Sequence, residues 1–137
     1  MLSVRQKTLV QTTFTHLAAR SERASLIFYE RLFELDPSVR RFFRRDIKEQ
    51  GRHFMLAVST AVTASSAPEV IRQSMHQLGQ RHVNYGIKLY HFDMMGEAFL
   101  YALKSVLGEE YTSEVEEAWA ALYAWLREMT TELAYTG

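Results

Sequence analysis

The chain has 137 residues, 47% hydrophobic and 23% charged, with 16 basic against 16 acidic side chains and no cysteine. That length can bury a core without staples, and the missing thiols exclude disulfide frameworks, thiolate metal sites and cysteine nucleophiles. Balanced charge without a recognition element argues against nucleic acid, and no apolar run approaches the roughly 18 residues that span a bilayer. The start lacks the apolar stretch of a secretory signal, so a cytoplasmic location is expected.

Two prolines and six glycines leave few bends. Apolar residues recur at intervals of three and four and alternating strand patterns are absent, which predicts an all-α chain. No internal repeat or linker is present, so residues 1–137 are expected to form a single domain.

In chain order, a first helix is predicted over residues 3–20, with Leu9, Val10, Thr13, Phe14 and Leu17 on one side. A second runs over residues 21–36 and carries Leu26, Phe28, Tyr29, Leu32, Phe33 and Leu35. Asp36-Pro37 reads as a cap followed by a first-turn proline, opening a short helix that closes near Phe43. Asp46 with Glu49 resembles a capping box and introduces a long helix to Ala64, on which Gln50, Phe54, Ala57, Val58, Ala61 and Val62 share a face. Residues 65–68 are a break and a fresh start. The helix after it reaches about His82, and Asn84-Tyr85-Gly86 ends it. Another is predicted over residues 92–107, stopped by Gly108. Ser113 and Glu116 form a second capping box, beginning a last helix with Val115, Ala118, Trp119, Leu122, Leu126, Met129 and Leu133.

The charge is uneven along this order. Residues 1–52 hold 11 Lys/Arg against 6 Asp/Glu, and residues 53–137 hold 5 against 10. The densest basic piece surrounds Phe42-Phe43 and reads as a solvated surface. Attraction between the halves of two copies, or an acidic reductase docked on the basic face, would be salt-sensitive alternatives.

Among residues that could carry chemistry, His82 stands in line with Ile71, Met75 and Leu78 at intervals of four, three and four, on one apolar stripe. A buried imidazole needs a partner for each nitrogen; that partner is either a metal or a hydrogen-bonding group of the core. Gln50 and Phe54 are one helical turn apart and point the same way. Tyr29 lies in an otherwise apolar helix, so its hydroxyl needs a polar partner if it faces inward. Together Tyr29 and Gln50 could hydrogen-bond a polar diatomic ligand, or be ordinary half-buried residues. His53, three residues after Gln50, is either exposed or a second metal ligand. His16, His76 and His91 show no paired spacing, and there is no HExxH, GxSxG, GxxxxGK[ST] or GxGxxG motif.

Over nearly its whole length the sequence resembles the globin family, in particular single-domain bacterial haemoglobins and the globin part of flavohaemoglobins, with neuroglobin-like features towards the C-terminal half. The carrying segments are Phe28-Tyr29-Glu30-Arg31-Leu32-Phe33, Asp36-Pro37-Ser38-Val39-Arg40-Arg41-Phe42-Phe43, Leu78-Gly79-Gln80-Arg81-His82-Val83-Asn84-Tyr85-Gly86, Val106-Leu107-Gly108 and Ala118-Trp119. The resemblance implies a three-over-three helical sandwich around one haem b, with His82 as the proximal iron ligand. It also implies that Phe43 packs on the haem, that Tyr29 and Gln50 are distal donors, that Phe54 abuts the ligand, and that Tyr85 counts among the haem contacts. A motif alignment shifted by three would make His53 the distal residue, as in hexacoordinate globins. Arg44 and Arg45 are candidates to reach the haem propionates.

Where the flavohaemoglobin-like pattern has a tyrosine after the histidine beyond the proximal helix, this chain reads His91-Phe92. The glutamate that supports that tyrosine aligns poorly with Glu132. The resemblance therefore implies a binding protein for oxygen, nitric oxide or carbon monoxide, as monomer or homodimer, in storage, delivery or sensing. Nitric oxide dioxygenation fed by an external reductase is its enzymatic alternative. A haem-free interaction module and a sensor domain cut from a longer chain are the remaining ones.

Overall fold

The computed structural model describes residues 2–43, 46–65 and 68–135, so Arg44, Arg45 and part of the predicted break at 65–68 lie outside the described residues. Six α-helices carry the described chain: α1 (Val4–Ala18), α2 (Ser21–Leu35), α3 (Ile47–Ala64), α4 (Pro68–Asn84), α5 (Leu89–Leu107) and α6 (Ser113–Thr131). Two 3-10 turns, Pro37–Phe42 and Gly108–Glu110, complete them. No described helix is long and apolar enough to cross a membrane.

Local chemistry explains most helix ends. Ser3 and Gln6 form a reciprocal capping box at the start of α1, satisfying two of the amide donors that a helix start leaves open. Asp36 accepts from the Ser38 N–H at 3.0 Å, with Pro37 as first residue of the turn. At the start of α3, by contrast, Asp46 makes no side-chain capping bond. At α6 the cap is Thr112, whose hydroxyl accepts from the Val115 N–H at 3.2 Å. The predicted Ser113 is thus already inside the helix. After α4, Gly86 takes φ +86°, a conformation that costs a residue with a Cβ about 1 kcal/mol or more.

The helix α5 begins three residues before the predicted start, and His91 explains why. Its Nδ1 accepts the Lys88 backbone N–H at 2.8 Å, a role usually filled by Glu or Gln at this position. Burial pushes the His91 pKa below the ordinary 6.5; Asp36 opposes that shift, while Arg41 and Lys88 reinforce it. Protonated Nδ1 could not accept this bond. Because the folded pKa lies below the unfolded one, the unfolded chain takes the proton more readily, and this contribution to stability, intact above about pH 6.5, is lost as pH falls below it. Amide exchange at the start of α5 is therefore expected to be less protected at pH 5 than at pH 7.5, beyond intrinsic chemistry. That difference should shrink in His91→Gln, whose amide oxygen accepts at either pH. Equal protection in the wild-type chain at both values would remove His91 from the role.

Cross-layer packing places α1, α3 and α4 against α2, α5 and α6, principally through α1 on α6, α4 on α6 and α3 on α2. The main core runs from Val10 and Leu17 through Leu32 and Leu103 to Trp119 and Leu122, all nearly or fully buried. The indole N–H of Trp119 would be costly to bury unpaired; it donates to the Thr13 hydroxyl at 2.8 Å, which in turn donates to the Leu9 carbonyl. A smaller cluster of Ile71, Met75 and Met129 joins α4 to α6. The two charge-biased halves of the sequence meet within one molecule: Arg5 pairs with Glu114, His16 with Glu110, and Arg31 with Glu97.

Candidate functional site

Between the two layers lies a cavity of about 210 Å³ with an almost wholly apolar wall. The helix α3 contributes Phe54, Ala57, Val58 and Ala61, four of the six residues on the face that the spacing predicts; Gln50 and Val62 of that face do not line the cavity. Leu78 and His82 come from α4, one turn apart. The wall is closed by Phe28 of α2, by Phe92, Met95 and Phe99 of α5, and by Trp119, Leu122 and Leu126 of α6. Phe28 and Phe54 stack with ring centroids 4.5 Å apart, and Phe99 meets both Phe54 and Trp119 edge-on.

His82 is the imidazole of this wall. Its Nδ1 donates to the Leu78 carbonyl, 2.7 Å away and one turn back on the same helix. That bond fixes the tautomer and leaves Nε2 with a lone pair. Among the described residues Nε2 has no hydrogen-bond partner. Burial pushes the His82 pKa below 6.5, against a smaller upward pull from the Leu78 bond. The ring is thus held neutral, the form that ligates metals. Phe92 packs on it at 5.5 Å.

The surroundings of His82 contain phenols and a carboxylate, but none reaches the ring. Tyr123 donates its hydroxyl to the Phe92 carbonyl at 2.5 Å, and Tyr135 donates to the Ile87 carbonyl at 2.7 Å. The first braces the opening turn of α5 and the second the corner between α4 and α5, each through a backbone carbonyl. Glu132 is held by Arg72 at 2.7 Å and by His76 at 2.5 Å, and these partners keep its pKa below the usual carboxylate range. With Phe92 in place of a hydroxyl-bearing side chain, the Nδ1 partner of His82 is a backbone carbonyl, which donates less electron density through the ring than a carboxylate does.

On the other side of the cavity, Tyr29 is buried in a nest of rings, 4.9 Å from Phe28, 5.2 Å from Phe43 and 6.3 Å from Phe54. Burial pushes its pKa up to about 12, so the hydroxyl keeps its proton. It donates to the backbone carbonyl of Gln50 at 3.2 Å, rather than to the Gln50 side chain. The structure brings Tyr29 and Gln50 together in this way, yet neither is part of the cavity wall proper. Phe43 packs against Tyr29 and Phe33 and borders a small void with Ile87, His91 and Met95, which touches the main cavity through Met95. His53 is exposed on α3 and Tyr85 is 69% exposed beyond α4; neither lines the cavity.

Spacing puts Phe28, Trp119, Leu122 and Leu126 on apolar helix faces without marking them as cavity wall, and it does not mark Met95 or Phe99 at all. Gly79 is a further addition. A Cβ built there would stand 1.8 Å from the Thr130 carbonyl oxygen, so this glycine sets how closely the histidine-bearing helix approaches α6. Among the described residues no cluster of three or more His, Cys, Asp or Glu could hold a metal by itself.

The family model described as "Globin" matches residues 26–129. A flavohemoprotein of Bordetella pertussis is 30% identical over an alignment 133 positions long, which covers 94% of this chain but 33% of that protein. The chain therefore spans about a third of the flavohemoproteins it matches. Neuroglobin of Tetraodon nigroviridis is 28% identical, with 90% of this chain and 86% of that protein covered. Among solved structures, an engineered carbene transferase from Rhodothermus marinus superposes with a TM-score of 0.87 at 22% identity, over 98% of this chain and 94% of that one; at that identity the likeness speaks to fold alone.

Proposed function

The chain belongs to the globin family, a haem-binding family, and from that premise we propose that it holds one haem b in the cavity beside His82 and reversibly binds oxygen or another diatomic gas, such as nitric oxide or carbon monoxide. One observation carries the reading: the neutral His82 ring has its Nδ1 committed to Leu78 and its Nε2 unpartnered at the wall of an apolar cavity. The residues present fit the group. A flat apolar cofactor needs such a wall, and an iron centre needs a neutral imidazole fixed from behind. Phe54, Val58, Phe99 and Leu126 would pack on it, and His82 would supply the iron ligand.

Bound haem b supplies an iron centre that takes a diatomic gas. The protein's part is to hold the imidazole neutral, to exclude water with aromatic and aliphatic walls, and to offer a hydrogen-bond donor nearby. Tyr29, packed against the lining residues Phe28 and Phe54 but outside the wall itself, becomes that donor by turning its hydroxyl from Gln50 to the ligand. Its present bond to the Gln50 carbonyl, at 3.2 Å, is longer than the usual range for a hydroxyl donor, so exchanging this acceptor for a ligand costs little. One such bond contributes about 1 kcal/mol. Tyr29→Phe is therefore expected to speed oxygen dissociation by roughly fivefold to tenfold. An unchanged rate would remove Tyr29 from the role.

Nitric oxide dioxygenation with an external reductase is the second reading, favoured by the likeness to flavohemoproteins. The backbone acceptor on His82, and the commitment of Glu132 to Arg72 and His76, favour the binding protein. Under air with a supplied reductant, nitric oxide loss that stops after one equivalent supports binding; sustained turnover supports the enzyme.

A further inference from the structure

A second concavity lies outside the haem site, where α1, α2 and α3 diverge. It is a groove of about 690 Å³, within the range of small-molecule sites. Its walls are Phe14 and Ala18 of α1, Leu26 of α2, and Met55 and Leu56 of α3, with small hydroxyl side chains between them. Leu26 is 45% exposed and Leu56 66% exposed, so apolar surface stays open to water along it. The α3 side of the groove begins with Lys48 and Arg52, one turn apart on the same face. Neither side chain makes an ion pair or hydrogen bond among the described residues, whereas Arg5, Arg31, Arg72 and Arg127 elsewhere are matched to carboxylates. Glu22 on the α2 wall leaves the lining with an excess of one positive charge.

An apolar trough headed by two unmatched cations is complementary to one chemical class. We infer that the groove binds the anion of a free medium-chain fatty acid, its carboxylate on Lys48 and Arg52 and its chain along Leu26, Met55, Leu56 and Phe14. The α3 lining from Lys48 to Ser59 spans roughly 16 Å at the rise of a helix, enough to receive an extended acyl chain. The same helix faces the haem cavity with Phe54, Ala57 and Val58, so the two sites share a wall without sharing a lining residue.

The test is calorimetric titration of the full haem-loaded chain with dodecanoate below its micelle concentration. One dodecanoate per chain is expected, weakened at least tenfold in the double variant Lys48→Glu, Arg52→Glu and, separately, in Leu56→Asp; all these positions are exposed, and circular dichroism checks the fold. Dodecanol should bind at least tenfold more weakly than dodecanoate. Equal binding of dodecanol, or dodecanoate binding unaffected by the charge reversal, would overturn the assignment. So would association that depends on these cations with phosphatidylglycerol vesicles but not with the free acid, which would make the groove a membrane-facing surface.

Discussion

His82→Ala is expected to lose haem: after gel filtration the variant should carry no Soret band, at an apparent haem affinity lowered by more than about 100-fold. Removing a group that only supports a metal ligand costs about 10-fold to 100-fold, and removing the ligand itself costs more. The helix itself should survive. The imidazole hydrogen-bonds within α4, to Leu78, and Ile71 and Met75, earlier in the same helix, pack it on Met129 of α6. Far-ultraviolet circular dichroism of the variant should therefore match wild type. In His82→Gly, added imidazole should restore the Soret band by occupying the vacated space. Full haem retention in His82→Ala would show that another residue holds the iron.

Gly79→Val is the second large effect, and it acts through packing. The first added carbon would meet the Thr130 carbonyl oxygen at 1.8 Å and the Thr130 carbonyl carbon at 3.0 Å. These are backbone atoms in the last turn of α6, so the neighbour that must give is main chain rather than the free end of a side chain. Interiors are packed too tightly to absorb such a shift, and overpacking costs about 1–3 kcal/mol, sometimes more. The displaced helix is the one that carries Leu78 and His82, so haem affinity should fall together with the urea midpoint. Gly86→Ala is the control. It imposes a strained φ on a side chain in open space and should cost about 1 kcal/mol while leaving haem affinity unchanged. A Gly79→Val chain as stable as Gly86→Ala would contradict the close approach.

The order of helices was legible because each carries an apolar face at helical spacing, and the Asp36-Pro37 start is strong chemistry. The α5 start was not. Lys88 and His91 do not belong to the residue types that announce a helix start, and only burial of the imidazole makes that bond effective. At α6, Thr112 and Ser113 are both good caps, and which one serves depends on where the chain leaves the Gly108–Glu110 turn. Within the site, His82 and Phe54 could be placed on inward faces from spacing. The α5 and α6 wall could not: α5 is apolar on most sides, so periodicity does not say whether Met95 or Phe99 meets the cavity or the core. Gly79 reads in sequence like any small helical residue, since a close approach is a property of two helices. Tyr29 and Gln50 read in sequence as two side-chain donors to one diatomic ligand. The bond in the structure uses the Gln50 backbone carbonyl, an acceptor every residue carries and no sequence pattern reveals.

The central claim is a haem held by His82 with a face open to gas, and absorption spectroscopy tests it most directly. Ferrous wild-type protein and His53→Ala are compared before carbon monoxide, under it, and after its removal. Because His53 is exposed and outside the cavity wall, both ferrous spectra should be five-coordinate, shift on adding the gas, and return when it is withdrawn. A six-coordinate ferrous spectrum that becomes five-coordinate only in His53→Ala would contradict the account, placing His53 on the iron where the gas was to bind.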